Sequence, residues 1–136
     1  MSNKSEGTRF EIQLAEALSR HGYWTHCLTA NQHGQPADVI AVKDTKAYLI
    51  DCKDCKSGTF PLSRIEENQA LAMTLWESKG NGQGWFAIRI NDRVFMIPYQ
   101  ILRFFQTERR TLDARLIASV GIPLDAWATV NEPIPI

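Results

Sequence analysis

The chain has 136 residues, 44% of them hydrophobic and 22% charged, without low-complexity tracts, which is the profile of one soluble globular domain with a modest core. Fifteen Lys and Arg balance fifteen Asp and Glu, and the balance holds on both sides of residue 60, seven against seven and then eight against eight. A nucleic-acid role therefore cannot rest on bulk charge and needs a local basic face.

No apolar run approaches the ~18 residues of a membrane span, the opening MSNKSEGTRF has no signal-peptide core, and three cysteines fit a reducing compartment better than a disulfide scaffold. A cytoplasmic protein with no membrane partner is expected.

In chain order, GTRFEIQLAEALSRHGYW predicts a helix. Phe10, Leu14, Ala17 and Leu18 recur at the helical period, Thr8 can cap the start, and Gly22 follows the end. Glu11 shares a flank of that stripe with Leu14, Ala15 and Leu18. Three strands are expected next, Tyr23 to Thr29, Ala37 to Val42 and Ala47 to Lys53, the last two joined by the polar Lys43 to Lys46. A second helix is expected after Pro61, with Ser63 and Glu66 at capping-box spacing and an inward stripe of Ile65, Ala72, Met73 and Trp76 that includes Gln69. Two strands, GWFAIRI and RVFMIP, meet at the turn-forming Asn91-Asp92. The segment from Tyr99 reads as one helix and then another before a tail. The order implies an α/β or α+β sandwich around a mixed sheet of about five strands. A single domain over 1–136 is expected, with its core at about 5–106 and a helical extension beyond.

The hairpin pattern places two acids together. Whether Lys43 to Lys46 form the loop or Asp44-Thr45 form a tight turn with Lys43 opposite Lys46, paired residue numbers sum to 89 and Asp38 stands opposite Asp51. Opposed side chains have Cβ atoms ~5 Å apart, where like charges destabilise. Two carboxylates at the end of an apolar hairpin call for a cation. Magnesium suits, because it is commonly held by one or two carboxylates and keeps waters for substrate phosphates. Lys53, two residues past Asp51, falls on the same face. Asp54 falls on the other, so Asp51-Cys52-Lys53 is the functional triplet, and Asp54-Cys55-Lys56 reads as the strand's frayed exit.

A Glu in the first helix, then PADVIAV, then LIDCK resemble the PD-(D/E)xK nuclease pattern shared by restriction endonucleases, archaeal Hjc-type and bacterial RecU-type junction resolvases. SGTFPLSRIEENQ is similar to the RecU-type stretch between catalytic strand and next helix, and GTRFE and FMIPYQIL are compatible with that group. The resemblance covers about the first hundred residues and leaves bacterial and phage sources open. It implies a restriction-endonuclease-like fold and a metal-dependent endonuclease acting on branched or four-way DNA. Asp38 and Asp51 would be the metal-binding acids, with the backbone carbonyl of Cys52 completing the shell. Lys53 would be the catalytic lysine, Glu11 the helix-one acid near the metal, and Gln69 the residue that positions water or Lys53. Manganese would substitute for magnesium. The chain departs from the pattern in carrying Ala37 between Pro36 and Asp38, and in lacking the RecU stalk ahead of the first acid.

DNA binding would need cations around this acidic site. Lys4, Arg9, Lys56 and Arg64 are the candidates near the motif, with Arg103, Arg109, Arg110 and Arg115 farther along. The resemblance also implies a two-fold homodimer, to which Trp24, Trp85, Phe104 and Phe105 could contribute. Three rival readings remain. One is a zinc or redox site from Cys52, Cys55, Cys27, His21, His26 and His33; another is a restriction or repair endonuclease of the same fold; the third is a DNA-binding module that keeps the fold without cleaving.

Overall fold

The structure, a computed structural model, describes residues 3–28 and 37–130, with side chains from Arg9 onward in the first helix. Helix α1 (Asn3–Arg20) precedes strands β1 (Trp24–Cys27), β2 (Val39–Lys43) and β3 (Lys46–Asp54). A short strand β4 (Thr59–Pro61) and a 3-10 turn (Leu62–Arg64) lead to helix α2 (Glu67–Ser78). Strands β5 (Trp85–Ile90) and β6 (Arg93–Pro98) then precede helix α3 (Tyr99–Glu108), strand β7 (Thr111–Asp113), helix α4 (Ala114–Val120), strand β8 (Ile122–Pro123) and helix α5 (Leu124–Thr129).

The main sheet is mixed, in the order β1-β2-β3-β5-β6-β8, and β4 pairs with β7 in a separate ribbon. Among the described strands of this sheet only β3 and β5 are parallel, and the connection between them crosses over through helix α2. Strand alternation sends apolar residues to both faces. Phe10, Leu14 and Leu18 of α1 pack with Val39, Ala41, Ile50 and Met96 on one side, together with Trp127 of α5. Met73, Leu102 and Ile117 from α2, α3 and α4 cover Leu49, Phe86, Ile88 and Ile97 on the other. The result is a sheet between two helical layers. Among the described residues no helix is long and apolar enough to cross a membrane.

Four expectations need correction. The first helix starts at Asn3, so Thr8 lies inside it and is not its cap. The second helix starts after Glu66, because Leu62 and Ile65 are both drawn into the core and a 3-10 turn accommodates them at their three-residue spacing. Its cap uses Gln69, whose Oε1 accepts from the Glu66 backbone N–H at 3.0 Å. Finally, residues after Glu108 add strands as well as helices. The β8 strand lies beside β6, completing a mixed sheet of six strands in line with the expected about five, and Trp127 is buried among Tyr23, Tyr48 and Trp85.

Candidate active site

The β2–β3 turn sets the geometry. Asp44 and Thr45 both have positive φ, 51° and 68°, as a two-residue turn matching the strand twist requires. The register runs from Lys43 opposite Lys46 to Val39 opposite Ile50, so each pair sums to 89 as expected. One residue beyond the last pair the regular ladder breaks, and the Asp38 N–H donates to the carbonyl of Ile50, the partner of Val39, at 3.0 Å. That bond leaves Asp38 beside Asp51, and Oδ2 of Asp38 is fixed by the Cys52 N–H at 2.7 Å.

Asp51 is 1% exposed, and neither of its carboxylate oxygens has a hydrogen-bond partner. Its nearest cation is the Lys53 ammonium, 3.5 Å from Oδ1. Burial pushes the Asp51 carboxyl well above the usual range; the charge of Asp38 adds to that shift and Lys53 opposes it. Lys53, 8% exposed, donates to Gln69 Oε1 at 3.1 Å. The oxygen that caps α2 therefore also holds the lysine. Glu11 enters from α1, half-buried, and its carboxyl is raised from the usual 4.5 to about 7, chiefly by burial and then by the charge of Asp38 and a hydrogen bond with it. Lys53 draws it down.

Three acids thus gather at one place, two of them, Asp51 and Glu11, drawn down by the charge of Lys53. A buried carboxylate with two unused acceptors is an exception that needs an explanation, and hard oxygens close together suit a hard divalent cation. Among the described residues no three His, Cys, Asp or Glu side chains form a ready metal cage, so a cation held here would need backbone or water oxygens as well. The Cys52 backbone lies beside the acids, its N–H bonded to Asp38 Oδ2. Ile50 and Cys52 turn their backbone groups toward the β2 side, where Ile50 and Cys52 already pair with Asp38. The residues between them face β5.

The expected cations are distributed unevenly. Arg9 and Lys56 line a polar cleft of about 490 Å³ together with Gln13, Asp54, Arg89 and Asp92. Lys56 also pairs with Asp54 at 3.5 Å. Arg64 donates to the Asp54 carbonyl at 3.0 Å and lies over the Phe60 ring, tied to the strand end. The Lys4 side chain falls outside the described residues.

The second triplet is not frayed. Strand β3 runs through Asp54, which stands in register with Arg89 of β5 and is gripped by its guanidinium at 3.0 and 2.6 Å. Those bonds, the largest influence, hold the Asp54 carboxyl below its usual value. Arg89 escaped the sequence reading because no local spacing reveals a parallel pairing across a helix. The zinc reading gains nothing from the geometry: Cys55 belongs to one core and Cys52 packs against the other, on opposite faces of the sheet. His33 lies outside the described residues.

Compared with known families, residues 2–132 match the model of the archaeal Holliday junction resolvase (Hjc) family. Among solved structures the chain is similar to Hjc, a Holliday junction resolvase of Archaeoglobus fulgidus, at 20% identity and a TM-score of 0.69, over 90% of this chain and 95% of that one. It is also similar to a bacterial homing endonuclease, at 11% identity and a TM-score of 0.50, over 82% of this chain and 75% of that one. At these identities the two structures speak for the fold alone, which is that of the restriction-endonuclease-like enzymes. No curated protein matches.

Proposed function

The chain belongs to the archaeal Holliday junction resolvase (Hjc) family, a family of nucleases, and from that premise we propose that it is a metal-dependent endonuclease. It cuts branched DNA, four-way junctions above all, as a homodimer in the cytoplasm. The observation that carries this reading is Asp51, buried between Asp38 and Lys53 with neither oxygen in a hydrogen bond and only the Lys53 ammonium, at 3.5 Å, to offset its charge.

In this reading Asp38, Asp51 and the Cys52 carbonyl would hold magnesium, or manganese in its place, with Glu11 beside them. The ion supplies Lewis-acid polarisation of the phosphate and acidification of water. The chain's own part is orientation and charge. Gln69 holds the Lys53 ammonium where it can orient the attacking water and offset charge that develops on the phosphate oxygens. Asp38, locked by the Cys52 N–H, cannot swing away when substrate enters. Glu11, with its carboxyl near neutrality in the metal-free site, can hold or release a proton beside Asp38. Arg9, Lys56 and Arg64, with Lys4, would carry DNA phosphates across the acidic centre. Because the chain's net charge is zero, that binding is confined to one face and sensitive to salt.

Support for a dimer comes from α2. Leu71 and Leu75, one turn apart, are 59% and 51% exposed on the same helix that carries Gln69. Phe104 of α3 is also exposed and Phe105 stacks edge-on against it. Trp85 is half-buried against Trp127 and serves the core. A face of exposed apolar side chains marks an interaction site, and a two-fold pair suits paired cuts.

The test is cleavage of labelled four-way junction, linear duplex and single-stranded DNA with magnesium or with EDTA. Symmetrical, magnesium-dependent nicking of the junction supports the reading. Cutting without junction preference would retain the nuclease and discard the junction.

A further inference from the structure

The mechanism makes no use of Asp54, although it is among the most firmly held side chains at this end of the sheet. Both its oxygens accept from Arg89, Oδ1 from Nε at 3.0 Å and Oδ2 from Nη2 at 2.6 Å. The same guanidinium donates through Nη1 to Gln13 Oε1 at 2.7 Å and lies 4.4 Å from the centroid of the Phe10 ring. Phe10 immediately precedes Glu11 and Gln13 follows it by two residues. One cation thus joins β3 and β5 to helix α1 on both sides of Glu11.

We propose that Arg89 is a positioning residue for the site, setting Glu11 against Asp38 and Lys53 by gripping α1 at Phe10 and Gln13 while Asp54 locks the guanidinium. The proposal rests on the nuclease reading of that site and extends it to the second triplet. The sheet period explains the arrangement: Asp51 and Lys53 point to one face for chemistry, and Asp54 points to the other to anchor the helix that supplies the third acid. A bidentate fork fixes direction as well as distance, and a planar guanidinium can stack on a ring while it does so, which an ammonium cannot match. The charges that shift Glu11 are those of Asp38 and Lys53, so the tie acts through the place of the helix. Small misplacements of a reacting group are expensive: about 1 Å can lower a rate on the order of a hundredfold.

The experiment is a double-mutant cycle of Arg89→Met with Glu11→Gln, run below the melting temperature of every variant. Two quantities are read: single-turnover cleavage of the preferred DNA in magnesium, and calorimetric binding of manganese without DNA. The expected result is that Arg89→Met lowers kcat roughly tenfold or more with little change in KM, and weakens manganese binding. In the Glu11→Gln background the same change should have less than about a twofold effect on either. Arg89→Lys should fall between, because a lysine cannot reach Asp54, Gln13 and Phe10 together.

Equal losses with and without Glu11 would overturn the proposal and leave a structural ion pair. A raised KM at unchanged kcat would also overturn it, making Arg89 a contact to DNA. If the unaltered chain binds manganese yet cuts nothing, the nuclease reading falls and the metal cycle alone decides the tie. If it binds no metal, both fall.

Discussion

Asp51 is strained in the metal-free protein by its own burial, and the consequences at the scale of single residues run in opposite directions for stability and activity. Asp51→Asn removes a buried carboxyl whose nearest cation stands 3.5 Å away. In EDTA, thermal or urea unfolding should show the variant more stable by about 1–3 kcal/mol, the usual size of an unsatisfied buried group's penalty. Glu11 adds a pH dependence whose sign follows from its raised carboxyl. Below its ordinary value near 4.5 it is protonated in both folded and unfolded chains, and no penalty arises. As pH climbs to about 7 the unfolded chain gives up the proton more readily, so folding loses stability across that window. Urea titrations of metal-free protein should therefore show stability falling from about pH 4.5 to 7, with Asp51 acting in the same direction and Glu11→Gln flattening the slope. Asp54, held below its usual value, contributes stability that is lost only at pH below that window. Much of this site was legible in sequence because the hairpin arithmetic is local: the two-residue turn sets the register that brings Asp38 beside Asp51. Arg89 was not legible, because its partners Asp54 and Gln13 meet it only through a parallel strand pair and a helix packed from 76 residues away.

At the scale of elements, the β2–β3 turn controls everything downstream, since a slip of one residue would send Asp51 to the wrong face. Yet it places Thr45, a β-branched residue, at φ 68°, where glycine is at ease and threonine is not. Thr45→Gly should stabilise the chain by about 1 kcal/mol with cleavage unchanged, measured by chemical unfolding. A loss of activity would mean that the register moved. The period-2 and period-3.6 patterns revealed the long elements, α1, β2, β3, β5 and β6. They could not reveal β4, β7 or β8, which have two or three residues each, too few for any period. The β8 strand depends on close approach at Gly121, where a Cβ would stand 2.8 Å from the Phe95 Cβ and 2.9 Å from the Ile117 carbonyl. The helix α5 is likewise placed by one tertiary fact, the Trp127 ring seated among Tyr23, Tyr48 and Trp85.

For the whole molecule, the balanced charge and the exposed leucines of α2 set two expectations. Leu75→Lys should convert a dimer to monomer in sedimentation at micromolar concentration, and junction cutting should pass from paired to single nicks; a variant that stays dimeric would move the interface elsewhere. The central claim is that the acid pair built by the hairpin is a metal-dependent catalytic centre. The most direct measurement is cleavage and gel-shift binding of one four-way junction by the unaltered chain and by Asp51→Asn, in magnesium. The account predicts that the variant binds the junction about as tightly as the parent and cuts it at least a thousandfold more slowly, roughly 4 kcal/mol of transition-state stabilisation. Cutting by Asp51→Asn at the parent's rate, or no cutting by either with magnesium or manganese, would contradict it.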